Sequence, residues 1–180
     1  MPAIFDAAGG ACESESDAEP PLGLYLEIVH DAGDWSAFAQ MDSAMQRAAA
    51  ALERHPATRL ASSRACVALS SADIVRRLNR EFRGQDKPTN VLSFPAAQVR
   101  AAGEPTQLGD VVLAAEVVLA EAAEAGIPPV HHLQHLLVHG LLHLLGFAHE
   151  TDKEAGEMER LEVEILARIG VADPYHGGRA

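Results

Sequence analysis

Apolar residues recur along the chain with two periods, and the switches between them outline the elements. In "LGLYLEIVH" (22–30) they alternate as in a strand, whereas in "WSAFAQMDSAMQRAAAALERH" (35–55) Phe38, Met41, Met45, Ala48 and Leu52 share one helical face. "RACVALSS" (64–71) reads as a second strand. Ser70 followed by Asp73 is a capping-box signal for a helix through "ADIVRRLNREFRG" that Gly84 ends, and the turn-rich "GQDKPTN" then leads into a third short strand, "VLSFP" (91–95). "LGDVVLA" (108–114) predicts a fourth strand running into an Ala/Glu-rich helix closed by Gly126. Pro129 suits the first turn of the next helix, which reaches about Leu145 and stops at Gly146. Thr151 with Glu154 makes a further capping box, for a last helix to about Ile169. Four short strands among about five helices predict one α+β domain over 21–176, its helices packed on a small sheet. Residues 1–20, acidic and without periodicity, read as a disordered tail with nothing to bury.

At 180 residues the chain can bury about two thirds of its unfolded surface without staples. Cys12 and Cys66 have neither C-x-x-C spacing nor a dense pattern, so neither a disulfide framework nor a thiolate metal site is expected, and a reducing cytosol fits. The first residues lack a basic region followed by a long apolar one, and no stretch approaches about 18 uninterrupted apolar residues. The sequence therefore predicts a soluble, cytoplasmic protein with no membrane partner.

The stretch "HHLQHLLVHGLLHLLGFAH" (131–149) holds six of the nine histidines. On a helix its leucines occupy nearly every direction, so the helix is expected to be buried. A single histidine there is most simply a core residue bonded to a carbonyl. His131, His135, His139 and His143, however, follow one another at i, i+4, which places neighbouring Cβ atoms about 5–6 Å apart. Several buried imidazoles cannot easily satisfy both nitrogens each without a shared ion. Zinc suits an all-imidazole site, at one ion per chain; Gly146 supplies a turn and His149 a third ligand. Three ligands leave a position for water, as in catalytic zinc sites. The spacing is also that of metzincin proteases, H-E-x-x-H-x-x-G-x-x-H, but their general-base position is here Gly140.

"NREFRGQDKPTNVLSFP" (79–95), "LGDVVL" (108–113), "HGLLHLLGFAH" (139–149) and "EMERLEVEILARIGVADPY" (157–175) together resemble the YbeY family of bacterial single-strand-specific metallo-endoribonucleases. The resemblance implies a zinc-dependent RNA hydrolase with a mixed sheet. Its implied partners are single-stranded RNA, 16S rRNA in the small ribosomal subunit, and ribosomal or assembly proteins. Its implied roles are maturation of the 16S rRNA 3′ end and ribosome quality control. By position His139, His143 and His149 match the family's metal ligands and Arg83 its catalytic arginine. Phe147 and Ala148 stand where the family usually has Tyr-Asp, and Phe82 where it has Tyr. His132 and His135 also match family positions and are read as supporting the ligands or facing RNA.

The charge changes the picture only locally. A formal net charge of -12 argues against a nucleic-acid partner, yet Arg76, Arg77, Arg80, Arg83 and Lys87 face only Glu81 and Asp86 between 74 and 90. Arg76, Arg80 and Arg83 fall within about 60° of one another, opposite Ile74, Val75, Leu78 and Phe82. Beside a metal site such arginines suit phosphate recognition, so Arg76, Arg80, Lys87 and His135 are candidate RNA contacts. With 4% aromatic residues, extensive base stacking is not expected. The rival readings are a zinc metallopeptidase-like hydrolase and a non-catalytic ribosome-assembly factor with a structural zinc.

Overall fold

The computed structural model describes residues 23–58, 60–97, 104–149 and 151–175; the acidic tail expected over 1–20 lies outside them. The described elements are β1 (Leu24–His30), α1 (Met41–Glu53), β2 (Ser63–Ser70), α2 (Ala72–Arg83), β3 (Val91–Pro95), β4 (Thr106–Ala114), α3 (Ala115–Ala125), α4 (Pro129–Leu144) and α5 (Asp152–Ala167). The four strands form one sheet in the order β1-β2-β4-β3. β1, β2 and β4 run parallel, and β3 closes the edge antiparallel to β4 with Val91 opposite Leu113 and Pro95 opposite Gly109. The fold is thus α+β with a mixed sheet. No described helix is long and apolar enough to cross a membrane.

The inner strands are continuous apolar runs because both of their faces are covered. Val67, Leu69, Val111 and Leu113 belong to the larger core, with Met45 and Leu52 of α1, Leu137 and Leu141 of α4 and Ile165 of α5. The alternate positions Ala68, Val112 and Ala114, with Leu92 of β3, meet Val75 of α2 on the other face. Each fully buried leucine contributes about 1.5–3 kcal/mol relative to an exposed one. α4 lies centrally, touching α1, α3, α5, β3 and β4. Its leucines are buried, while its histidines are only partly so.

Two local expectations are corrected. The first helix begins at Met41 rather than near 35. Trp35 and Phe38 instead fold a turn in which the Trp35 Nε1–H donates to the Ala32 carbonyl at 2.9 Å and the two rings meet at a 43° tilt, their centroids 4.9 Å apart, in the core. Ser70 does not cap α2: β2 runs through it, and its hydroxyl donates to Asp31 at 2.9 Å. The Ala72 amide at the start of α2 donates instead to Glu116 of α3. Gly84 and Gly126 end α2 and α3, Pro129 opens α4, and Thr151 with Glu154 forms the complete capping box of α5, as the pattern predicts.

Candidate metal centre

α4 sets His139 and His143 one turn apart on the same face, with ring centroids 4.6 Å apart and their Nε2 atoms at 3.1 Å. The far nitrogen of each ring is already committed. His139 Nδ1–H donates to Glu162 Oε1 at 2.9 Å, and His143 Nδ1–H to the Phe147 carbonyl at 3.0 Å. A carboxylate and a carbonyl only accept, so in the neutral rings both hydrogens sit on Nδ1 and both Nε2 atoms turn lone pairs toward each other. Two such lone pairs repel unless a cation lies between them. Tetrahedral zinc at about 2.0–2.1 Å from each nitrogen sets ligand atoms about 3.4 Å apart, close to what α4 provides. Burial, then the neighbouring His139, holds the His143 pKa below its ordinary value, favouring the neutral ring a metal needs.

The third imidazole arrives by backbone chemistry. After Leu145 the Phe147 amide donates to the Leu142 carbonyl and the Gly146 amide to that of His143, a Schellman closure in which Gly146 takes φ 90°. The chain turns back over the helix end and carries His149 to 4.8 Å from the His143 ring and 5.7 Å from that of His139. One potential ligand atom from each of the three histidines lies within 4.8 Å of the others. The same turn orients the Phe147 carbonyl that fixes the His143 tautomer. His149 is exposed, so the triad opens on a cleft.

Arg83, Asn90, Ser93, His139, His143 and His149 share the walls of that cleft, and among the described residues no carboxylate lines it. Arg83 ends α2 and comes from the opposite side of the edge strand β3. Gly140 faces the sheet: a Cβ there would stand 2.9 Å from Val111 Cγ1 and 3.1 Å from Ser93 Oγ, and the Ser93 hydroxyl donates to the Gly140 carbonyl at 3.2 Å. The position that carries a protease's base therefore has no room for one.

The other sequence candidates lie elsewhere. Arg76 is exposed and holds Asp86 through two bonds of 2.8 and 3.1 Å; Arg80 and Lys87 are exposed on the same side of the fold but do not line the cleft. His135 turns from the cleft, donating Nε2–H toward Glu162 at 3.0 Å, with the Tyr175 hydroxyl also beside it. Phe82, placed on the apolar face of its helix by the pattern, is 42% exposed and edge-on to Phe94 at 5.2 Å.

Sequence reasoning assigned no role to Glu162, Tyr175 or Asn79. Glu162 is fully buried and accepts from His135, His139 and the Tyr175 hydroxyl. Burial alone would raise its pKa, but these three hydrogen bonds overcome it and hold the carboxyl at about 2. Burial and that carboxylate push the Tyr175 hydroxyl up. Asn79, also buried, donates to the Lys87 carbonyl at 2.8 Å and so pins the loop between Arg83 and the cleft residue Asn90.

A family model described as Endoribonuclease YbeY matches residues 34–170. The chain is 46% identical to an endoribonuclease YbeY of Rhodopseudomonas palustris over 155 residues, 85% of this chain and 82% of the relative. It is 40% identical to that of Bradyrhizobium diazoefficiens over 94% of both chains. Its fold is similar to the solution structure of TM1509 from Thermotoga maritima, with a TM-score of 0.52 and 21% identity over 87% of this chain and 100% of the other.

Proposed function

The chain belongs to the endoribonuclease YbeY family, and from that premise we propose that it is a zinc-dependent endoribonuclease hydrolysing single-stranded RNA. We place its work in the cytoplasm, in 16S rRNA 3′-end maturation and ribosome quality control, on the small subunit and with ribosomal or assembly proteins as partners. One observation carries the reading: three imidazoles and Arg83 line a single cleft.

His139, His143 and His149 would hold one zinc through the nitrogens that face one another. The ion supplies Lewis acidity toward a phosphoryl oxygen and a water of lowered pKa. Arg83 offers its planar fork to two phosphate oxygens and to the charge that grows on them in the transition state. Among the described residues that line the cleft the only fixed charge is the Arg83 guanidinium, which favours entry of an anionic backbone. Phe147 and Glu162 hold the two helical imidazoles in one tautomer throughout. A metallopeptidase reading fails at Gly140, which has no space for a base. Three ligands opening on a cleft also differ from the closed four-ligand arrangement of a structural zinc, which disfavours a purely scaffolding role.

Zinc-loaded protein incubated with labelled single-stranded RNA and with casein, with and without chelator, tests this. RNA should be cut only in the metal-loaded sample and casein in neither. Cleavage of casein, or RNA cleavage that survives chelation and re-purification, would overturn the reading.

A further inference from the structure

Glu162 enters no step of the reaction proposed above, yet it is the most deeply buried acid near the site, with no exposed surface. It comes from α5, behind α4, on the side of His139 away from the cleft. Its Oε1 accepts His139 Nδ1–H at 2.9 Å, and its Oε2 faces His135 Nε2 at 3.0 Å and the Tyr175 hydroxyl. These partners are two imidazoles and a phenol; none is a lysine or an arginine. A buried carboxylate is strongly destabilising unless an opposite charge accompanies it. A cation held across the His139 ring, where Nε2 meets Nε2 of His143 at 3.1 Å, would supply that charge.

We infer that Glu162 is the positioning residue of the metal centre: it fixes His139 with its hydrogen on Nδ1 and its lone pair toward the cation, and gives that cation a buried counter-charge. The inference rests on the metal-site reading above. Two features separate it from a purely architectural role. The carboxylate reaches a ligand directly, and the ligand it reaches has no other hydrogen-bond partner for Nδ1. His143 is fixed in the same sense by the Phe147 carbonyl, so each helical ligand has its own orienting acceptor, one charged and one neutral. Carboxylates that orient a ligating histidine typically change metal affinity by 10–100-fold when removed.

Tyr175 supplies the contrast needed for a test. It donates to the same carboxylate and ties the segment after α5 to it, but touches none of the three ligands. Metal-free Glu162→Gln, Glu162→Asp and Tyr175→Phe proteins would be compared with the parent by thermal melting, by zinc affinity in chelator competition, and by the visible spectrum of the cobalt form. Glu162→Gln should weaken zinc by about 10- to 100-fold and alter the cobalt spectrum, Glu162→Asp should recover part of the affinity, and Tyr175→Phe should stay within about threefold of the parent while melting lower. Parent-like zinc affinity in a folded Glu162→Gln protein would overturn the inference. So would equal losses in Glu162→Gln and Tyr175→Phe, which would mark the carboxylate as a tie for the C-terminal segment alone. Should Glu162→Gln not fold, Glu162→Asp carries the same comparison, and parent-like affinity there overturns it. If the parent itself bound neither zinc nor cobalt, the metal-site reading would have failed, independently of Glu162.

Discussion

Arg83 and Glu162 stand on opposite sides of the same three histidines, and they differ in how legible they are. Arg83 lies within a run of arginines and within the family's motif, so both its charge and its place mark it in the sequence. Glu162 lies in a stretch with seven acids between 150 and 164, where one more carboxylate looks like surface. The available signal was its phase. Met158, Leu161, Glu162, Ile165 and Leu166 recur at helical spacing and are all buried, so the acid sits on the apolar face of α5. An acid in that phase needs buried partners, which His135 and His139 of the histidine helix and Tyr175 supply. For Arg83 the geometry predicts a separation of chemistry from metal binding. Arg83→Ala should keep its zinc and its melting temperature while single-turnover RNA cleavage falls by about 10² or more, the scale for losing one preorganised donor. Arg83→Lys should regain only part, since an ammonium keeps the charge without the planar fork. Unchanged cleavage in the alanine variant would remove Arg83 from the reaction.

At the level of elements, what was readable is what local chemistry decides. The strands, the helix ends at Gly84 and Gly126 and the α5 capping box follow from side-chain period and cap residues. The start of α1 and the cap of α2 did not, because tertiary contacts chose them: Trp35 and Phe38 turn into the core, and Glu116 from another helix takes the Ala72 amide. Gly140 shows the same division. Its sequence says only that a protease base is missing; the packing says why none can be added, since α4 rests directly on Val111 and Ser93 there. Gly140→Ala should lose about 1 kcal/mol, as crowding of about 1–3 kcal/mol is offset in part by the better helix propensity of alanine. Gly140→Glu, which buries a carboxylate against valine, should lose more than about 3 kcal/mol and acquire no peptidase activity. Urea unfolding of the metal-free proteins checks both values; a parent-like midpoint for Gly140→Glu would show that α4 is not held tightly against Val111 and Ser93.

On the scale of the molecule, an acidic protein with a formal charge of -12 must approach a polyanion by a restricted route. The basic end of α2 and the cleft that Arg83 lines mark that route, but its cations are not equivalent. Arg76 is held through two hydrogen bonds by Asp86, whereas Arg80 has no carboxylate at hydrogen-bonding distance among the described residues and is exposed. An exposed ion pair is worth about 0–1 kcal/mol, so it does not exclude RNA, but an RNA phosphate must compete with Asp86 for the Arg76 fork. Counterion release turns this into a measurement, since each phosphate contact on a single strand contributes about 0.7 to the slope of log affinity against log salt. Arg80→Ala should flatten that slope by about 0.7, while Arg76→Ala should leave it nearly unchanged. Asp86→Asn, which releases the Arg76 fork, should tighten binding and steepen the slope. Fluorescence anisotropy of a short single-stranded RNA with metal-free protein, which separates binding from cleavage, gives all three slopes between about 50 and 200 mM salt. Equal flattening by Arg76→Ala and Arg80→Ala would mean that RNA displaces Asp86 at no cost and that the two arginines contact phosphate alike. No change in any of the three would place the RNA path away from α2 and leave Arg83 as its contact at the cleft.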